Sequence, residues 1–134
     1  MRLEGSCLCG GIRFVVRGSV SGIIQCHCSL CRKVSGAASI ATIGISSDQL
    51  DWISGEDLVA TYERPSGYGN AFCKICGSPA PDANRTRTRY QIPAGLLADS
   101  PELEVIEHIY VGSKAHWDLI GGDAPRFDGD SSPR

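Results

Sequence analysis

Seven cysteines in three groups constrain this chain more than any other feature: Cys7-x-Cys9, Cys26-x-Cys28-x-x-Cys31 and Cys73-x-x-Cys76. An odd number cannot pair completely as disulfides, whereas such close spacing lets several thiolates converge on one metal ion. Zinc takes four soft donors at about 2.3 Å in a tetrahedron, so neighbouring sulfurs must approach within about 4 Å. If residues 7–9 are extended, Cys7 and Cys9 share a face and Leu8 points away. In a turn, the Cys73-x-x-Cys76 spacing achieves the same, and Gly77 lets the backbone fold around the ion. A pair, a triple and a pair divide naturally into four and three, although spacing alone admits other groupings.

A four-thiolate site has no vacancy, so it holds the fold and does no chemistry. Joining the first pair to the last would close more than half of the chain with one ion, which suits a small β domain with a limited core. The triple is different. Cys26 and Cys28 point to one side of a strand and Cys31 returns on a helical turn, leaving one zinc position that cysteine does not fill. Such a site suits a visiting thiol, whose deprotonated sulfur attacks an electrophilic carbon such as that of an aldehyde. Two other outcomes stay open: a histidine closes the site, with His108 and His116 as candidates, or the thiols form a metal-free or redox-active cluster. His27 lies between two ligands and in an extended segment faces away from them.

The remaining sequence indicates what molecule carries these sites. At 134 residues, 42% apolar and 21% charged, it has the size and composition of one soluble globular domain. No stretch approaches the roughly 20 apolar residues needed to cross a bilayer, and no apolar leader precedes Cys7, so a reducing, cytoplasmic setting is expected. A net charge of -2 lacks the basic excess with which a general nucleic-acid binder displaces counterions. Neither nucleic acid nor membrane is an expected partner. β-rich runs at residues 12–17, 22–25, 38–45, 50–53, 58–62, 70–72 and 103–111 predict a mainly β fold. The single helical turn is expected over Ser29 to Ser35, stopped by Gly36.

With these pieces in place, the chain resembles the glutathione-dependent formaldehyde-activating enzyme family, also called the CENP-V/GFA domain. The matching segments are Gly5-Ser6-Cys7-Leu8-Cys9-Gly10-Gly11-Ile12, Cys26-His27-Cys28-Ser29-Leu30-Cys31-Arg32-Lys33 and Phe72-Cys73-Lys74-Ile75-Cys76-Gly77-Ser78-Pro79. The ending also matches, from Ile109-Tyr110-Val111 through Trp117-Asp118 to Pro125-Arg126-Phe127. The resemblance implies an Mss4-like small β domain of packed antiparallel sheets stapled by zinc over residues 1–127, with a flexible tail at 128–134. It implies two zinc ions: a structural one on Cys7, Cys9, Cys73 and Cys76, and a catalytic one on Cys26, Cys28 and Cys31. The implied activity joins glutathione or a similar small thiol to formaldehyde or another aldehyde, formally a carbon-sulfur lyase reaction in reverse. A non-catalytic Mss4-like zinc module that binds another protein is the alternative. The sequence leaves the oligomeric state open.

The family pattern continues after Ser78-Pro79 into an apolar strand, whereas Ala80-Pro81-Asp82-Ala83-Asn84 here predicts a loop. Arg32 is assigned to the catalytic group, balancing an anionic site or binding a carboxylate of the thiol, with Lys33 as its weaker neighbour. Arg85, Arg87 and Arg89 alternate with threonines, so an extended segment would line them on one face, as an anion-binding stripe or a charged edge. His27 is either a proton shuttle or a hydrogen-bonded support for the site. Trp52, Tyr110 and Trp117 either line a pocket or, as large aromatics in a small β domain, belong to the core, which is the expectation.

Overall fold

The computed structural model describes residues 1–65, 69–98 and 102–131. In chain order the strands are β1 (Arg2–Ser6), β2 (Arg13–Arg17), β3 (Ile23–Cys26), β4 (Ile40–Ser46), β5 (Leu50–Ser54), β6 (Val59–Glu63), β7 (Gly69–Cys73), β8 (Asp82–Ala83), β9 (Arg89–Pro93) and β10 (Val105–Ile109). One helix, α1 (Ser29–Ser35), lies between β3 and β4. The fold is mainly β, as predicted, and no helix among the described residues is long and apolar enough to cross a membrane. The chain divides into two compact units, each built from two separate stretches: Met1–Ser21 with Ile43–Pro101, and Gly22–Thr42 with Glu102–Arg134.

In the first unit, β1, β2 and β5 form an antiparallel sheet in the order β1-β2-β5. Phe14, Val15 and Val16 of β2 are all buried, because this central strand is covered on both faces. Gly5 lies opposite Phe14, and a Cβ there would come 2.3 Å from the ring, so the missing side chain is what admits the aromatic. β6 and β7 form a second antiparallel ladder that ends on Cys73. β9 alternates, with Tyr90 and Ile92 buried and Arg89 exposed, and Tyr90 meets the edge of Trp52 at 6.2 Å.

Two local expectations change here. Residues 80–84 do not replace the hairpin with a loop, since Asp82 and Ala83 pair with Gln91 and Tyr90. The arginine alternation is not extended either. Asn84 Oδ1 accepts the amides of Thr88 and Arg89, and Arg87 takes a left-handed φ of 56°, so residues 84–88 are the turn of the β8–β9 hairpin.

In the second unit, β3 pairs antiparallel with the first residues of β4 and parallel with β10. The β1–β2, β2–β5, β3–β4, β6–β7 and β8–β9 ladders are antiparallel as expected, and the β3–β10 ladder adds a parallel pair. α1 begins on Cys28 as N-cap and ends on Gly36, whose φ of 65° and bond to the Arg32 carbonyl make the predicted stop. Of the expected tail, residues 128–131 are tied down: the Asp128 and Gly129 carbonyls accept from Gly112 and Tyr110, and Ser131 bonds Glu107. Residues 132–134 lie outside the described residues.

Candidate metal centres

The first unit brings Cys7, Cys9, Cys73 and Cys76 together, with all four sulfurs within 4.8 Å of one another. Cys7 and Cys9 do not share an extended strand as their spacing suggested. β1 stops at Ser6, and the Gly10 amide closes a turn on the Cys7 carbonyl at 3.1 Å. Gly77 closes the corresponding turn on Cys73 at 2.8 Å, and both glycines have a φ near +80°, which a side chain resists (79° and 77°). The sulfur separations of 3.6 Å for Cys7–Cys9 and 3.9 Å for Cys9–Cys73 bracket the edge of about 3.8 Å that a tetrahedron of 2.3 Å bonds requires. The donor set fits zinc.

Hydrogen-bonding groups lie against three of these sulfurs, and the thiols of Cys7 and Cys76 are drawn below their ordinary range while, against the pull of the Gly11 amide, neighbouring thiols push that of Cys9 up to about 11. The Ile12 amide points at Cys7 Sγ at 3.3 Å and the Gly11 amide at Cys9 Sγ at 3.5 Å. Cys76 Sγ lies 3.3 Å from Ser78 Oγ, which itself accepts the Leu8 amide at 2.9 Å. The Ser78 oxygen accepts from the protonated thiol, and once the thiol is ionised the hydroxyl can turn its own proton to the sulfur, which favours the thiolate. The Ser78 hydroxyl and amide, with the Cys9 amide, pull the Cys76 thiol down to about 5. Ser78 was a family-motif residue in the sequence, but its work depends on Leu8, seventy positions away.

The second unit brings Cys26, Cys28 and Cys31 together, and they too fall within 4.8 Å of one another. Cys26 ends β3, Cys28 caps α1 by accepting the Cys31 amide at 3.3 Å, and Cys31 sits in the first helical turn. Without metal, the hydrogen bond from Cys31 draws the Cys26 thiol down to about 6 and pushes the Cys31 thiol upward. Three converging thiolates also fit zinc, and among the described residues no histidine or carboxylate joins them.

The histidines go elsewhere. His27 is 2% exposed, and its Nε2 lies 2.9 Å from Nδ1 of buried His108. His27 Nδ1 has no hydrogen-bond partner, the nearest carboxylate being Asp118 at 3.8 Å. Burial holds the His27 imidazole below its ordinary range, with His108 adding to the effect. His108 is therefore engaged with His27 and not with the sulfurs. Arg32 follows Cys31 on α1, and its Nε is buried without a hydrogen-bond partner. Trp52 is half-buried with its ring against Tyr90, whereas Trp117 is 61% exposed and Tyr110 is 38% exposed, so none of the three is fully buried in the core.

Comparison with known proteins adds to this geometry. The model of a family described as glutathione-dependent formaldehyde-activating enzyme matches residues 2–113. A Halomonas elongata protein named "Putative glutathione-dependent formaldehyde-activating enzyme" is 47% identical over 126 residues, covering 87% of this chain and 80% of the relative. The crystal structure of a Rhodobacter sphaeroides protein is similar with a TM-score of 0.60 and 20% identity, over 94% of this chain and 99% of its own, which is a likeness of fold.

Proposed function

The chain belongs to the glutathione-dependent formaldehyde-activating enzyme family, and from that premise we propose that it joins glutathione or a similar small thiol to formaldehyde or a related aldehyde, and reverses the reaction. In the forward direction a carbon-sulfur bond forms, the carbonyl π bond opens, and the thiol proton ends on the former carbonyl oxygen. The reverse is a carbon-sulfur lyase reaction. The observation that carries this reading is the trio: three thiols converge at the junction of β3 and α1, and among the described residues the chain supplies no fourth donor.

Cys26, Cys28 and Cys31 would hold a catalytic zinc, and Cys7, Cys9, Cys73 and Cys76 a structural one. Zinc bound by three thiolates supplies a soft acceptor that favours the thiolate form of an incoming thiol near neutral pH. The chain's part is to orient and to balance charge. The Cys31 amide fixes Cys28, the His27–His108 bond ties the segment between two ligands to β10, and Arg32 sets a permanent cation beside an anionic centre.

Cobalt substitution tests this assignment. Titrating the cobalt-loaded chain with glutathione should change the thiolate-to-metal absorption of the trio, and Cys28→Ser should abolish the response while leaving the circular dichroism spectrum intact. Cys73→Ser should instead unfold or aggregate the chain. No spectral response at millimolar glutathione would sink the catalytic reading and leave the zinc-module alternative standing.

A further inference from the structure

One face of α1 is not spent on the cysteines. Ser29, Arg32, Lys33 and Gly36 follow the i, i+3, i+4, i+7 pattern of a single helical stripe, adjacent to the stripe that carries Cys28 and Cys31. With Ala37 and Trp117 they line an open groove of about 320 Å³. Among the described residues two cations and no acid face it, and Arg32 brings a buried Nε that none of them satisfies. Such an orphaned donor costs free energy unless something accepts from it. Trp117 is 61% exposed, which for so large an apolar side chain beside a groove marks a contact surface more than a packing residue.

We propose that this groove is the subsite for the peptide part of the thiol, with Arg32 and Lys33 gripping a carboxylate and Trp117 lying against the peptide body. The inference rests on the thiol-aldehyde reading and adds a selection rule to it. A thiol bearing carboxylates is held at two places, by its sulfur at the trio and by its acid group along the neighbouring stripe, whereas a neutral thiol is held only at the sulfur. A guanidinium fork matches a carboxylate in two parallel hydrogen bonds, and the Lys33 ammonium adds charge without geometry. The volume suits a ligand of tripeptide size and far exceeds the needs of formaldehyde. The ordinary role of two cations in a last helical turn is to complement the helix dipole, and that role would register in stability and not in ligand binding.

S-methylglutathione separates the groove from the chemistry, because it keeps both carboxylates and has no free thiol. Calorimetric titration of the zinc-loaded chain should show it binding, and esterifying its carboxylates should weaken binding about tenfold. Trp117→Ala and Lys33→Glu should each weaken binding by about tenfold, while Trp117→Phe stays within about threefold of the original chain. No binding by the unmodified chain, or equal binding by Lys33→Glu and Trp117→Ala, would overturn the proposal. Glutathione-dependent formaldehyde consumption, measured in parallel, keeps the two readings apart. If consumption persists and S-methylglutathione binding ignores these variants, the groove assignment fails alone; if binding responds to them but formaldehyde is never consumed, the reaction assignment fails alone.

Discussion

Ser78 Oγ sits between the Leu8 amide, from which it accepts at 2.9 Å, and the Cys76 sulfur 3.3 Å away, and that small arrangement has a measurable effect. A thiol held near 5 is ionised at neutral pH, so a metal has no proton to displace from it. Ser78→Ala should raise the Cys76 thiol toward its ordinary range, seen as a later rise of thiolate ultraviolet absorbance in the metal-free chain. Zinc affinity should fall by about tenfold, and more at pH 6 than at pH 8, because the proton competes harder on the acid side. Equal affinity in the two chains at pH 6 would contradict this role. Residues of this kind divide sharply by legibility. The seven cysteines declared themselves through spacing, because ligands for one ion must recur at short intervals. The effect of Ser78 on Cys76, the pairing of His27 with His108 and the exposure of Trp117 depend on neighbours far along the chain, which no local pattern encodes.

Elements were legible where side chains repeat the physics of a strand or a cap. The runs that became β2 to β7 and β10 are rich in β-branched and aromatic residues, and α1 has its glycine stop where the sequence put it. β1 was missed because Arg-Leu-Glu-Gly-Ser carries little intrinsic strand preference and is held by pairing with β2. β8 was hidden by Pro79 and Pro81 just before it, and β9 by an arginine run whose first members belong to a turn. The glycine stop also makes α1 testable. Gly36 has a φ of 65° and open space where a Cβ would go, so Gly36→Ala meets backbone strain and no clash. It should cost about 1 kcal/mol, measured as a lower midpoint in denaturant at an unchanged slope. A loss below about 0.3 kcal/mol would mean that the helix end relaxes freely, contrary to the cap described here.

At the scale of the molecule, the four-cysteine cluster brings together positions 64 residues apart, Cys9 and Cys73, in a chain of modest core. A metal held there would act as a removable cross-link, so loop-closure entropy and ligand bonds would leave together when it is stripped. Excess chelator should lower the melting temperature of the zinc-loaded chain by about 10 °C or more, and added zinc should restore it. A shift under about 2 °C would mean that the cluster is not what holds this part of the fold. Spacing marked the cysteines but left their grouping open, which the family resemblance supplied, and the division into two units was not readable because each unit is assembled from stretches that are not neighbours along the chain.

That interleaving governs the order of events during synthesis. The segment with Cys26, Cys28 and Cys31 leaves the ribosome early, but its parallel partner β10 emerges some eighty residues later, after nearly all of the interrupting unit has been made. At typical translation speeds of about 5–20 residues per second, Cys26 therefore waits several seconds for the strand that pairs with it at Ile109. The segment of the trio is thus among the last to be locked in place, although it is made before β10.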